Sequence, residues 1–237
     1  DGNLTTEEAI IGYCIGYGLF FILAVISFLY KKGNVKLRHV DLINQKLTLS
    51  KEQVTFWGTN ALYILNSNID TIYVGYFLSF SEVGQYNVAW RLANLLMIFL
   101  NISNSIMTPK ISRLFQKKQI KKLEAYVGRA NLLLTIIAVF YFLTFIFLGD
   151  YIVTLWGSDF EDINIYVLIL IIGQGVNVAT AGVGALLSMT GNEKIVFRIN
   201  VIAFMIGLLL YPIVLNRFGL IGATVLSTIT LCSINFI

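Results

Sequence analysis

Asp70 and Arg91 are charged residues set inside apolar segments, and each belongs to a row of polar side chains at helical spacing. An Asp or Arg at the centre of a membrane helix costs about 2.5–3.5 kcal/mol on insertion scales, so such residues face a partner or a polar pathway rather than lipid. Thr59, Tyr63, Asn66, Asp70 and Tyr73 follow steps of four, three, four and three, which puts them on one helix face. Arg91, Asn94, Ile98, Asn101, Ser105 and Thr108 repeat that rhythm, and so do Gln174, Asn177, Ala181, Gly184 and Ser188. Two readings follow. The amides and hydroxyls either bond helix to helix, at about 0.6 kcal/mol each, or line a substrate pathway. The presence of both Asp70 and Arg91 favours the pathway. The outer turn falls near Ser81–Gly84. At 1.5 Å per residue, with Asp70 about twelve residues before that turn and Arg91 about nine after it, the two lie at similar depth on antiparallel neighbours. They are expected to approach each other and pair.

The elements that must carry these rows are membrane helices. The 237-residue chain is 57% hydrophobic and only 13% charged, against about a quarter charged in a soluble domain. Its mean hydropathy is +0.78. Seven segments approach the twenty apolar residues a helix needs to cross a bilayer: 9–30, 54–77, 88–108, 130–148, 163–189, 199–215 and 220–237. Ten-residue alternating strands are absent, which argues against a barrel. The expected class is all-α integral membrane. The domain reading is a single transmembrane helix at 1–30, a basic linker at 31–53 and a six-helix lobe at 54–237. The linker stretch "VDLINQKLTLSKEQ" is expected to lie as an amphipathic helix along the membrane surface.

Charge orients the segments. Connections 31–53, 109–129 and 190–198 hold 15 of the 17 Lys and Arg residues, whereas the alternate ones carry Glu7, Glu8, Glu82, Asp150, Asp159, Glu161 and Asp162. Only Arg217 breaks the pattern. The basic side is expected to be cytoplasmic. Topology explains these basic loops, so no nucleic-acid partner is inferred from them, and membrane lipids are the expected neighbours.

Other chemistries lack their residues. His39 is the only histidine, and Cys14 and Cys232 sit in separate apolar segments with no metal spacing. No GxxxxGK[ST] phosphate loop occurs. The carboxylates of "GSDFEDIN" lack calcium-loop spacing. No cofactor, no metal and no enzymatic activity are expected. The fifth segment, "IGQGVNVATAGVGALLSMTG", presents small residues that permit close helix packing, and Gly173, Gly175, Gly182 and Gly184 offer places to bend.

The stretch "NIDTIYVGYFLSFSEVGQYNVAWRLAN" resembles the seventh and eighth spans of polysaccharide flippases in the MATE-like MOP exporter superfamily. "MTPKISRLFQKKQIKKLEAY" is similar to the cytoplasmic loop that follows, "LLSMTGNEK" to the end of the tenth span, and "FGLIGATVLSTIT" to the start of the twelfth. The resemblance covers 54–237. It implies two six-helix lobes that alternate between inward- and outward-facing states, with this chain supplying span six and the C-terminal lobe, and an N-terminal lobe as its partner. It also implies an O-antigen, lipopolysaccharide or teichuronic-type role: moving undecaprenyl-diphosphate-linked oligosaccharide across the bacterial inner membrane. On that resemblance Arg91 is the expected phosphate or acidic-sugar contact. Asn66, Asn94, Asn101, Gln174 and Asn177 are the expected sugar contacts, and Asp70 is the carboxylate for proton or sodium coupling. A cation-coupled multidrug antiporter of the same superfamily and a non-transporting membrane scaffold are the alternatives.

Overall fold

The computed structural model describes residues 6–31, 51–157, 160 and 163–236. The chain divides into two compact units, 1–48 and 49–237. The first contains α1 (Thr6–Lys31), whose described side chains are exposed and apolar. The expected linker helix lies mostly outside the described residues, and so does most of the acidic stretch after Gly157.

The second unit contains α2 (Lys51–Asn66), α3 (Ile69–Phe77), α4 (Phe80–Asn94), α5 (Leu96–Gln116), α6 (Ile120–Thr154), α7 (Asn164–Ala179), α8 (Ala181–Met189) and α9 (Glu193–Phe236). Among the described residues there is no strand. The runs 80–116, 120–154 and 193–235 are each long and apolar enough to cross a membrane. A fourth qualifies if the bent pair α7–α8 is one span.

The long helix α9 is two arms. Asn200 and Asn235 line the same cavity, yet a straight helix would hold them about 50 Å apart at 1.5 Å per residue. The reversal falls at Gly219, whose φ of 55° and ψ of −143° suit only a residue without Cβ. The expected sixth and seventh segments are these two arms.

Two expected loops are nearly all helix. Within 109–129 only Lys117–Gln119 separates α5 from α6, with Lys118 at a left-handed φ of 55°. Within 190–198 α9 begins at Glu193, after Gly191 at φ 82°. The outer turn into α4 is fixed by a capping box. The Ser79 hydroxyl accepts from the Glu82 amide, and the Glu82 carboxylate accepts from the Ser79 amide at 2.9 Å.

Three spans break where polar side chains compete for backbone carbonyls. The expected span 54–77 divides at Ser67–Asn68, where Ser67 Oγ donates to the Tyr63 carbonyl at 2.8 Å and Asn68 Nδ2 donates to that of Ile64 at 2.7 Å. α4 gives way to α5 at Leu95, where the Tyr141 hydroxyl donates to the Leu92 carbonyl at 2.7 Å. α7 and α8 meet at 42° at Thr180, whose hydroxyl donates to the Val176 carbonyl at 2.8 Å.

One apolar core joins these elements, built on Val74, Tyr86, Leu96, Val167, Ile171 and Ala223 among others. A smaller one, Met107, Ile111 and Leu123, ties α5 to α6. The expected close packing occurs at two of the four glycines. A Cβ on Gly173 would stand 3.0 Å from the Thr228 Cα, and one on Gly182 would stand 2.7 Å from Val127 and Asn131. At Gly184 nothing lies within 4 Å. The bend falls at Thr180 and not at a glycine.

Candidate functional site

The helix breaks surround one polar cavity of about 330 Å³. Its wall includes Asn66 from the end of α2, Asp70 from α3, Trp90 and Asn94 from α4, Gln174 and Asn177 from α7, and Asn200, Tyr211, Ser227 and Asn235 from the two arms of α9. Five residues expected from the sequence therefore converge: Asn66, Asp70, Asn94, Gln174 and Asn177.

Asp70 is only 3% exposed. The break at Ser67–Asn68 places it in the first turn of α3, where the helix dipole favours negative charge. Its Oδ1 accepts from the Thr71 amide at 2.7 Å, and its Oδ2 accepts from the Tyr86 hydroxyl at 2.5 Å and the Ser227 hydroxyl at 3.0 Å. Tyr86 is fully buried. Hydroxyl donors from two other helices thus hold the carboxyl group at the cavity wall.

The expected Asp70–Arg91 pair does not form. Asp70 is satisfied by hydroxyls and an amide, and Arg91 is exposed and does not line the cavity. The physical reason is angular. Trp90, Asn94 and Met97 of the chain face the cavity, and at 100° per residue Arg91 points about 90° away from the centre of that face. It shares an exposed stripe with Leu95 and Ile98 instead. Asn101 is also exposed and outside the cavity, about two turns beyond Asn94 on α5.

The amides form a relay. Gln174 Nε2 donates to Asn94 Oδ1 at 2.7 Å, and Asn177 Nδ2 donates to Gln174 Oε1 at 3.3 Å. Asn235 Nδ2 donates to Asn177 Oδ1 at 3.3 Å, and the Thr180 hydroxyl donates to Asn235 Oδ1 at 2.9 Å. Opposite them Asn66 Nδ2 donates to the Asn200 carbonyl at 3.0 Å. The relay ends on Asn94 Nδ2, a buried donor with no protein partner. This wall can offer donors and acceptors to a neutral polar guest. Among the described residues no group of three His, Cys, Asp or Glu side chains could hold a metal ion.

Sequence reasoning missed Asn200, Asn235, Tyr211 and Ser227. The signal was present but sparse: Asn200 and Asn235 are lone amides in apolar runs, without the repeated spacing that marked the other rows.

Comparison with known proteins fits this architecture. The family model described as MatE matches residues 57–213. The "Probable low-salt glycan biosynthesis flippase Agl15" of Haloferax volcanii is 30% identical over 169 residues, covering 68% of this chain and 34% of that protein. The "Probable flippase AglR" of the same organism is 28% identical over 179 residues, covering 74% of this chain and 37% of that protein. The chain thus spans about a third of the length of the curated relatives it matches. No solved structure matches it.

Proposed function

Because this chain belongs to the MatE family of multi-pass membrane transporters, we propose that the protein containing it flips a lipid-linked oligosaccharide across a membrane by alternating access. The observation that carries this reading is the amide wall of the cavity. Asn66, Asn94, Gln174, Asn177, Asn200 and Asn235 converge there beside Trp90. Sugar hydroxyls need donors and acceptors together, which amides supply. The relatives' names point the same way, one a probable low-salt glycan biosynthesis flippase and the other a probable flippase.

The carrier in this reading is a polyprenyl phosphate or diphosphate, of which the bacterial undecaprenyl diphosphate of O-antigen synthesis is one form. The membrane is the plasma membrane, with the basic connections on the cytoplasmic side. An N-terminal lobe completes the pathway. Arg91, exposed one turn from Asn94, contacts the phosphate from outside the cavity. Asp70 couples transport to a proton or sodium gradient, taking up the cation where Tyr86 and Ser227 now donate.

A multidrug antiporter would present carboxylates to a cationic guest, and Asp70 is the single carboxylate among the residues lining the cavity, against six amides. A scaffold would need the polar groups to satisfy one another, and Asn94 Nδ2 is left over.

The test is translocation of a fluorescent lipid-linked oligosaccharide by the full-length protein in proteoliposomes. Gln174→Leu is expected to slow translocation at least tenfold. Unchanged rates in Gln174→Leu and Asp70→Asn, with only lower stability, would make the wall structural. An unaffected Arg91→Gln would remove Arg91 from the phosphate.

A further inference from the structure

A second concavity, which shares no residue with the amide wall, lies between α5 and α6. It measures about 440 Å³ and is lined by Phe99, Ile102, Ile106, Leu133, Leu134 and Ile137, with Tyr126 and Arg129 at one end. Its body is apolar, because both helices are uncharged along it. From Leu92 to Pro109 the chain has no charged residue, and from Ala130 to Gly149 it again has none.

Both helices turn basic at the same end. Lys110 is the first charge after the apolar run of α5, and its Nζ stands 4.0 Å from the centroid of the Tyr126 ring. Arg129 is the last charge before the apolar run of α6, one turn from Tyr126 and on the same face. Lys110 and Arg129 are both exposed. A cation–π contact fixes the Lys110 ammonium at the rim without neutralising it. Two exposed cations thus flank one end of an apolar trough between the helices, where both helices pass from an uncharged run to the basic connection.

We propose that this groove binds an anionic phospholipid, one acyl chain lying between α5 and α6 and the phosphate held by Lys110 and Arg129. Charge complementarity selects this occupant. A zwitterionic lipid fills the trough equally well but brings its own cation to a rim that already has two. Each Lys or Arg near a membrane surface favours an anionic lipid by about fivefold. The amide cavity plays no part in the site, so the inference stands or falls separately from the transport reading.

The experiment uses the full-length protein in nanodiscs of mixed phosphatidylcholine and phosphatidylglycerol, each lipid in turn carrying a photoreactive acyl chain. Phosphatidylglycerol is expected to label 99–106 or 126–137 at least fivefold more than phosphatidylcholine does. Arg129→Gln and Lys110→Gln should each reduce that preference about fivefold, and Arg129→Lys should keep it. Ile102→Trp should reduce labelling by both lipids, because it fills the trough without touching the cations. Equal labelling by the two lipids, or a preference that survives loss of both cations, overturns the proposal. So does displacement of the phosphatidylglycerol probe by stoichiometric polyprenyl phosphate, which would assign the groove to the carrier lipid.

Discussion

The cavity helices and α6, which borders the α5–α6 groove, both carry side chains that bond back to their own helix, and they behave oppositely. In α6 the hydroxyls of Thr135 and Thr144 each donate to the carbonyl four residues back, at 2.8 and 2.9 Å, and the helix runs unbroken for 35 residues. In α2 and α7 the same back-bonding, by Ser67, Asn68 and Thr180, coincides with the end of a helix. The difference lies in the surroundings. Thr135 has no competing partner and keeps its ladder intact. Around the cavity, carbonyls and side chains are claimed by other helices as well: Leu92 by Tyr141, Asn200 by Asn66, Asp70 by Tyr86 and Ser227. At the cavity the polar side chains hold separate helices together, whereas on α6 they serve only their own turn.

The sharpest way to break this contrast is Asp70→Leu. It would orphan the buried Tyr86 and Ser227 hydroxyls, at about 1–3 kcal/mol each. Loss of roughly 3 kcal/mol in a denaturant titration in detergent is expected, the largest of the effects compared between the two regions. A loss below about 1 kcal/mol would mean that the hydroxyls find other partners.

A smaller effect separates the two regions directly. Gln174→Leu removes the bonds to Asn94 and Asn177 and should cost about 1 kcal/mol, within the range measured for hydrogen bonds between membrane helices. Thr135→Val on the exposed face of α6 removes only a local back-bond and should stay within about 0.5 kcal/mol. Equal costs at the two sites would erase the distinction.

The smallest expected effect concerns the two charges themselves. A double-mutant cycle of Asp70→Asn and Arg91→Gln should give a coupling below about 0.5 kcal/mol, since neither residue shares a partner with the other. A coupling above 1 kcal/mol would restore the ion pair.

Much of this was legible in the sequence because helical periodicity is a local property. The apolar runs became helices, and the three polar rows brought Asn66, Asp70, Asn94, Gln174 and Asn177 to one cavity. Azimuth was not legible. Steps of three and four are not equivalent around a helix of 3.6 residues per turn, so Arg91 and Asn94 share a row yet point into different environments. Nor was the choice of partner legible: nothing local says that Asp70 meets Tyr86 and Ser227 rather than Arg91, because Ser227 is 157 residues away. The breaks at Ser67 and Thr180 carried no local mark, because the same back-bonding at Thr135 and Thr144 leaves α6 unbroken, whereas the reversal at Gly219 was marked in advance by the gap between two apolar runs.

That reversal has a mechanical consequence. The arms of α9 join at one residue, with Leu220 and Ala223 buried immediately beyond it and a Cβ on Gly222 standing 3.1 Å from the Val214 carbonyl. A joint with no slack cannot let its arms slide past each other; it can only let them scissor. Ser227 rides on one arm, eight residues from the pivot, and Tyr211 rides on the other at the same distance. Widening that angle moves Ser227 and Tyr211 apart, so the hinge sets where the Ser227 hydroxyl stands relative to the carboxylate that accepts from it.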